Sequence, residues 1–345
     1  MKHFQFWIAA VIVILANSCT TDKSNKIPDV SDVKIDWSLV RYEAEMLGLD
    51  SANGTVYAEP LFTKYPVFSQ LYFRNIMGFN VSNDSLPAAA GELIGHHLFR
   101  HWLDTCHQVF LDFTPYEKEL KRSFQLLRYY FPEREVPRVY SLVSEFSIGN
   151  FIFIDADGRD ALGIGLDFFL GPEFPYVAMA GEFPAFSRYL SRSFTPDHLT
   201  RKTMAVIVDD LTGDIPPSNL LESMLHEGKK MYILEKLIPF ANDTVLWEFT
   251  PEQWAWVTNN EGEIWRHFVE DDLLYSNDRT LIQKLTLASP NSPGMPLEAP
   301  GRTAVFTGYK IISAFHRRNP DLSLRELINE NDPQKILNAS KYKPR

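Results

Sequence analysis

The sequence predicts an α+β protein, mainly helical with a small antiparallel sheet, and three observations carry that expectation. Apolar residues return at three- and four-residue steps from Trp37 to about Phe131. Three short β-type runs follow, at 138–143, 149–155 and 161–168. Helical patterning then resumes beyond Pro184. With no internal repeat, these parts fit one α+β domain spanning 36–345.

Taken in order, Leu39, Tyr42, Met46 and Leu49 begin the helical pattern. Leu98, Trp102, Cys106, Val109 and Phe110 then repeat at helical spacing, which makes Cys106 a small buried hydrophobe. Leu120, Phe124, Leu127 and Tyr130 form a third set, stopped by Pro132. Among the β-type runs, Asp155-Ala-Asp-Gly158 reads as a hairpin turn; as a calcium loop it lacks the later acidic ligands. Thr195-Pro196 starts a helix to about Asp210, a cap followed by a proline at the first helical position. Pro216-Pro217-Ser218 opens the next, which runs to Leu237 and ends before Pro239. Further helices are expected at 251–257, 261–271, 278–287, 301–318 and 322–330, while 289–300, with four prolines, is a loop.

The amino terminus carries an address. After Lys2 and His3, an unbroken apolar run extends from Phe6 to Ala16. It is short of the ~20 residues a membrane-spanning helix needs and suits a secretory signal. Small residues Ala16 and Ser18 precede Cys19, the arrangement of a bacterial lipobox. Residues 1–18 are therefore expected to be a lipoprotein signal peptide, Cys19 the acylated first residue, and 19–35 a lipidated N-terminus and flexible tether. The competing readings are an ordinary cleaved signal and an uncleaved anchor.

Composition narrows the function. A hydrophobic fraction of 45% with 13% aromatics is that of a globular chain. The formal charge is −10, and loss of Lys2 with the leader makes it one unit more negative. No basic block is interleaved with aromatics, which argues against nucleic-acid binding. An acidic surface also disfavours adhesion to anionic headgroups, so attachment falls to acyl chains, at ~0.8 kcal/mol per buried CH₂. Once Cys19 is lipidated only Cys106 remains, and the domain has no internal disulfide.

The sharpest chemical motif is Leu225-His-Glu-Gly-Lys-Lys-Met231. Zinc peptidases of the zincin type carry His-Glu-x-x-His on a helix, because positions i and i+4 share a face and the glutamate beside them serves as base. Here Lys230 fills the fifth position, and a protonated amine has no lone pair for zinc. The expectation is that His226, Glu227, Lys230 and Glu263 are vestigial, with no catalytic residue, metal or cofactor. The Lys230 ammonium would occupy the space of a lost metal and pair with a carboxylate such as Glu261 or Glu263. His226 as a core histidine, with Lys230 reaching solvent, is the plainer alternative. Leu220, Leu221, Met224, Leu225, Met231 and Tyr232 make one apolar side of the helix and Ile233 and Leu237 another, so it should be largely buried.

Other candidates carry less. His97 and His101 are an i, i+4 pair beside His96, without a fixed acidic ligand; His267 and Glu263 form another, read as a helix-surface contact. Gly163-x-Gly165 lacks the third glycine of a dinucleotide loop. There is no Gly-x-Ser-x-Gly elbow and no phosphate-binding P-loop motif, and nothing fixes a histidine beside Cys106.

A resemblance adds to this reading. The lipobox start, Tyr129-Tyr-Phe-Pro132, Leu166-Asp-Phe-Phe-Leu-Gly171, Gly228-Lys-Lys-Met-Tyr232 with Leu237-Ile-Pro239, Glu263-Ile-Trp265 with Leu273-Leu-Tyr275, Pro300-Gly-Arg302 with Gly308-Tyr-Lys-Ile311, and Ser340-Lys-Tyr-Lys-Pro344 occur in order along nearly the whole chain. Together they resemble the gliding-motility lipoprotein GldB family of Bacteroidetes, which is similar in outline to predicted zincin-type peptidases. The resemblance implies a zincin-like domain in a periplasm-facing, membrane-anchored envelope lipoprotein. It also implies partners in the motility and type IX secretion apparatus and no established enzyme activity. The rival functions are an active zinc metallopeptidase using His226 and Glu227, and a lipoprotein that binds a peptide or cell-wall fragment in the old cleft.

Overall fold

The computed structural model describes residues 27–52, 55–181, 186–213 and 216–344. The signal peptide at 1–18 and Cys19 lie outside the described residues. Of the expected tether, 27–35 lies against the domain: Val30 is buried, and the Gln125 amide donates to the Val33 carbonyl at 3.0 Å. The tether boundary at 35 is therefore too late, because three apolar residues, Val30, Val33 and Ile35, give this polar-looking stretch something to bury.

The first part of the chain is built from short elements around one aromatic cluster. Strand β1 (Leu39–Arg41) runs directly into α1 (Tyr42–Leu47), and β2 (Ser51–Ala52) pairs with β3 (Thr55–Val56). Helices α2 (Glu59–Lys64) and α3 (Pro66–Leu71) follow, the latter continued by a π turn over Tyr72–Ile76. Then come α4 (Leu86–Gly95), α5 (His97–Val109) and α6 (Thr114–Tyr130). Prolines occupy the first or second position of α2, α3, α4 and α6, where a missing N–H breaks no helical bond. Cys106 and Phe110 are buried as expected, yet α5 turns a different face inward. Phe99 and Leu103 are buried, while Leu98 and Val109 are exposed.

The sheet contains β4 (Arg138–Leu142), β5 (Asn150–Ile154) and β6 (Asp160–Gly165), in the order β1-β4-β6-β5. It is mixed rather than antiparallel: β4 runs parallel to both β1 and β6, and only β5 and β6 pair antiparallel. The hairpin was legible from its turn, where Gly158 takes φ +78°. Parallel pairing leaves no such local mark, since its partners are joined through long crossovers. Gly163 stands opposite Phe151 in the register, and a Cβ there would meet the Phe151 ring at 2.4 Å. That glycine serves packing, not a nucleotide. Phe68 stacks on Tyr140 with ring centroids 4.2 Å apart, joining α3 to the sheet.

The second part is a helical assembly. After α7 (Arg188–Ser191) and a 3₁₀ turn at Pro196–His198 come α8 (Leu199–Thr212) and the long α9 (Leu220–Leu237). Next are α10 (Asp243–Trp247), α11 (Pro251–Asn259), α12 (Glu261–Glu270) and α13 (Arg279–Thr286). The chain ends with α14 (Thr303–Arg318), α15 (Leu324–Asn329) and α16 (Pro333–Ser340). Short polar side chains set the starts. Asn219 accepts from the Glu222 amide, and Thr250 with Gln253 and Ser323 with Glu326 form capping boxes.

The centre of this half is the crossing of α9 and α14. A Cβ on Gly228 would stand 2.3 Å from the Gly308 carbonyl carbon, and one on Gly308 would stand 1.8 Å from the Met224 carbonyl oxygen. Two glycines thus let the helix backbones touch. The expectation that α9 is buried on two faces is correct: Leu221, Met224 and Tyr232 are buried, and so are Ile233 and Leu237.

Candidate functional site

The motif residues lie on α9, where the touching backbones leave its remaining face to charged side chains. His226 lines a pocket of about 80 Å³ together with Glu222, Lys229, Glu330 and Pro333, so the α15–α16 connection roofs it. Burial lowers the basicity of the His226 imidazole, and the Lys230 ammonium lowers it further. At the fifth motif position, the Lys230 Nζ lies 3.1 Å from Asp209 Oδ1 on α8 and 3.3 Å from Glu227 Oε1 on its own helix. A carboxylate pair does hold Lys230, but the expected partners are wrong. Glu261 pairs with Lys310 at 2.9 Å and accepts from the Tyr342 hydroxyl, while the exposed Glu263 pairs with Arg266. Both belong to α12, which packs against α14.

Lys229 has a role that spacing did not reveal. It is buried, and its ammonium donates to the carbonyls of Ile328, at 3.2 Å, and Glu330. These are carbonyls at the open C-terminal end of α15, so the side chain caps a neighbouring helix. Burial draws its basicity down to about 8, partly opposed by Glu330.

The other histidines do not converge. His96, His97 and His101 are exposed around the α4–α5 corner. His267 pairs through Nδ1 with Asp271 at 2.8 Å rather than with Glu263. Among the described residues no group of three or more His, Cys, Asp or Glu side chains is placed to hold a metal ion.

A buried charge cluster lies beyond Met231. Glu248, in the left-handed region at φ +53°, sends its carboxylate among three cations. Lys202 approaches at 2.6 Å, Arg201 at 3.4 Å and Arg302 at 3.5 Å. Arg302 is itself left-handed at φ +67°; it donates to the Trp247 carbonyl at 3.1 Å and turns its other terminal nitrogen to the Met231 sulfur at 3.3 Å. A fourth cation, Arg192, donates to the Glu248 backbone carbonyl at 2.6 Å and lies over the Tyr189 ring. Burial pushes the Glu248 carboxyl up, but Arg201, Lys202 and Arg302 outweigh it and hold the group far below the usual carboxylate range. Burial, then Arg201, disfavours the charge on Arg302. Pro300-Gly-Arg302 was visible as a motif; its acidic partner was not, because Glu248 lies 54 residues away in a segment with no motif.

Fold and site together define a helix-rich α+β domain organised on one buried central helix, whose charged face is closed by lysine ion pairs. The family model for gliding motility protein GldB matches residues 23–344, and the chain belongs to that family, a group of gliding-motility-associated, envelope-associated lipoproteins. No curated protein and no solved structure matches the chain. Among the described residues no helix is long and apolar enough to cross a membrane.

Proposed function

We propose that this protein is held at a membrane by acyl chains on Cys19, faces the periplasm, and acts through contacts with proteins of the motility and secretion apparatus. Its domain is then a catalytically degenerate relative of zincin-type peptidases. One observation supports this most: the Lys230 ammonium sits between Asp209 and Glu227 where a second zinc-binding histidine would stand. A protonated amine cannot donate to zinc, and its ion pairs keep it protonated. His226 turns to a small pocket against the α15–α16 connection, and Glu263 points away on another surface.

The test is metal content. Full-length protein purified in detergent and dialysed against micromolar zinc should carry well below one equivalent, and His226→Ala should leave that value unchanged. Stoichiometric zinc lost in His226→Ala would overturn the reading in favour of a metallopeptidase. Cross-linking in envelope membranes followed by affinity purification should recover apparatus proteins; recovery of none of them sinks the contact role.

A further inference from the structure

The cluster at Glu248 opens on a cavity of about 190 Å³, lined by Tyr189, Arg192, Ser193, Lys202, Glu248 and Arg302. Three cations face one carboxylate there, and Arg192 reaches only that residue's backbone carbonyl. Four cations thus surround one carboxylate, and beyond Glu248 only Glu227, which pairs with Lys230, adds a more distant attraction on Arg302, so the cluster keeps an excess of about two positive charges. Elsewhere the chain is acidic, at −10 overall, so this concentration of cations is not a general surface property.

Uncompensated charge at low exposure is unfavourable unless something neutralises it. The Arg302 side chain is only 13% exposed and that of Lys202 24%. Nor is the donor capacity used up. A guanidinium carries five N–H donors, and one terminal nitrogen of Arg302 faces a thioether, a weak acceptor. The geometry is held firmly. Arg302 is fixed at the start of α14 by its backbone and by the Trp247 carbonyl, and Arg201 is anchored to the Leu246 carbonyl at 3.1 Å. Preorganised arginine and lysine donors around a small space are what an oxyanion requires.

We propose that this cavity binds a small divalent oxyanion, a phosphate monoester or a compact dicarboxylate, between Lys202, Arg192 and Arg302. Two negative charges match the excess, and the volume admits the charged group with a few further atoms. Glu248 holds the cations apart in the empty state and sets the size of the anion they accept. The aromatic wall of Tyr189 and Phe194 receives whatever stem the anion carries. This site shares no lining residue with the His226 pocket and needs neither a metal nor peptidase chemistry, so it stands or falls independently of the proposed function.

Calorimetric titration of full-length protein in detergent tests it, with inorganic phosphate, succinate and acetate each at matched ionic strength. Saturable binding of phosphate or succinate, at least tenfold tighter than acetate, is expected; phosphate alone identifies a phosphomonoester site and succinate alone a dicarboxylate site. Lys202→Gln should weaken that binding at least tenfold, Arg192→Gln at least threefold, and Lys202→Arg should restore it. Absence of saturable binding by both dianions in wild-type protein overturns the proposal, even if a variant fails to fold. So does binding that folded Lys202→Gln and Arg192→Gln leave unchanged.

Discussion

Replacing Gly308 by alanine sets two effects against each other, and their magnitudes decide the sign. Alanine is the better helix former, by roughly 1 kcal/mol in a helix interior. The added methyl, however, would stand 1.8 Å from the Met224 carbonyl oxygen and 2.6 Å from its carbonyl carbon. Ordinary van der Waals contact begins near 3.4 Å, so α9 and α14 would have to part by about 1.6 Å. Both obstructing atoms are helix backbone, which cannot rotate aside like a side chain. Parting would also loosen Tyr232 and Ile311, which are packed into the same core. Overpacking in cores costs ~1–3 kcal/mol even when side chains can adjust. With rigid backbone on both sides, the net effect of Gly308→Ala should be a loss of about 2–4 kcal/mol. Urea unfolding followed by circular dichroism would measure it. Gly48→Ala is the control, since its Cβ would meet nothing closer than 3.5 Å and the effect should stay within about 0.5 kcal/mol. Gly308→Ala as stable as wild type would refute the backbone contact on which the site is mounted.

Two further outcomes follow from the buried bases. Lys229→Met removes the cap on α15 and should cost about 1–3 kcal/mol at neutral pH, read by the same unfolding assay. The folded-state value near 8 lies below the ordinary 10.5, so the native form releases its proton first and wild-type stability rises from pH 8 to 10.5. The wild-type margin over Lys229→Met should therefore widen across that range, by at most about 3 kcal/mol; parallel curves would exclude it. His198 behaves in the opposite pH window. Burial draws its imidazole down to about 4 from 6.5, so the unfolded chain protonates first and stability drains away as pH falls from 6.5 to 4. His198→Gln should lack this component, and an unchanged pH dependence in that variant would show that the ring is not held neutral.

Much of the architecture was readable because it rests on local signals. The limits of α9, the capping residues and the β5–β6 turn are all written within a few neighbouring positions. Strand β1 was hidden because Leu39 fits a helical period as well as a strand and the helix begins at the next element. Helix α10 was missed because its five residues span too few turns for a helical period to show. The inward face of α5 was misread because apolar residues occupy two adjoining stripes, and only the neighbouring helices choose between them. At the site, the motif located His226, Glu227 and Lys230 but could not supply Asp209, which comes from a different helix. The Glu248 cluster was still further from view, since it depends on left-handed backbone at two non-glycine residues, Glu248 and Arg302.

Docking of 27–35 on the body changes the mechanics of the proposed anchor. With lipid at Cys19 and Val30 the first described residue buried in the body, eleven residue steps separate bilayer from protein. Such a leash extends no further than about 40 Å, even pulled straight. A folded chain of this size has a radius of gyration of roughly 20 Å. A domain anchored in that way would travel with the bilayer surface, much like a float on a short mooring. Its surroundings are effectively two-dimensional, and a partner must itself come within one domain's breadth of the membrane to meet it.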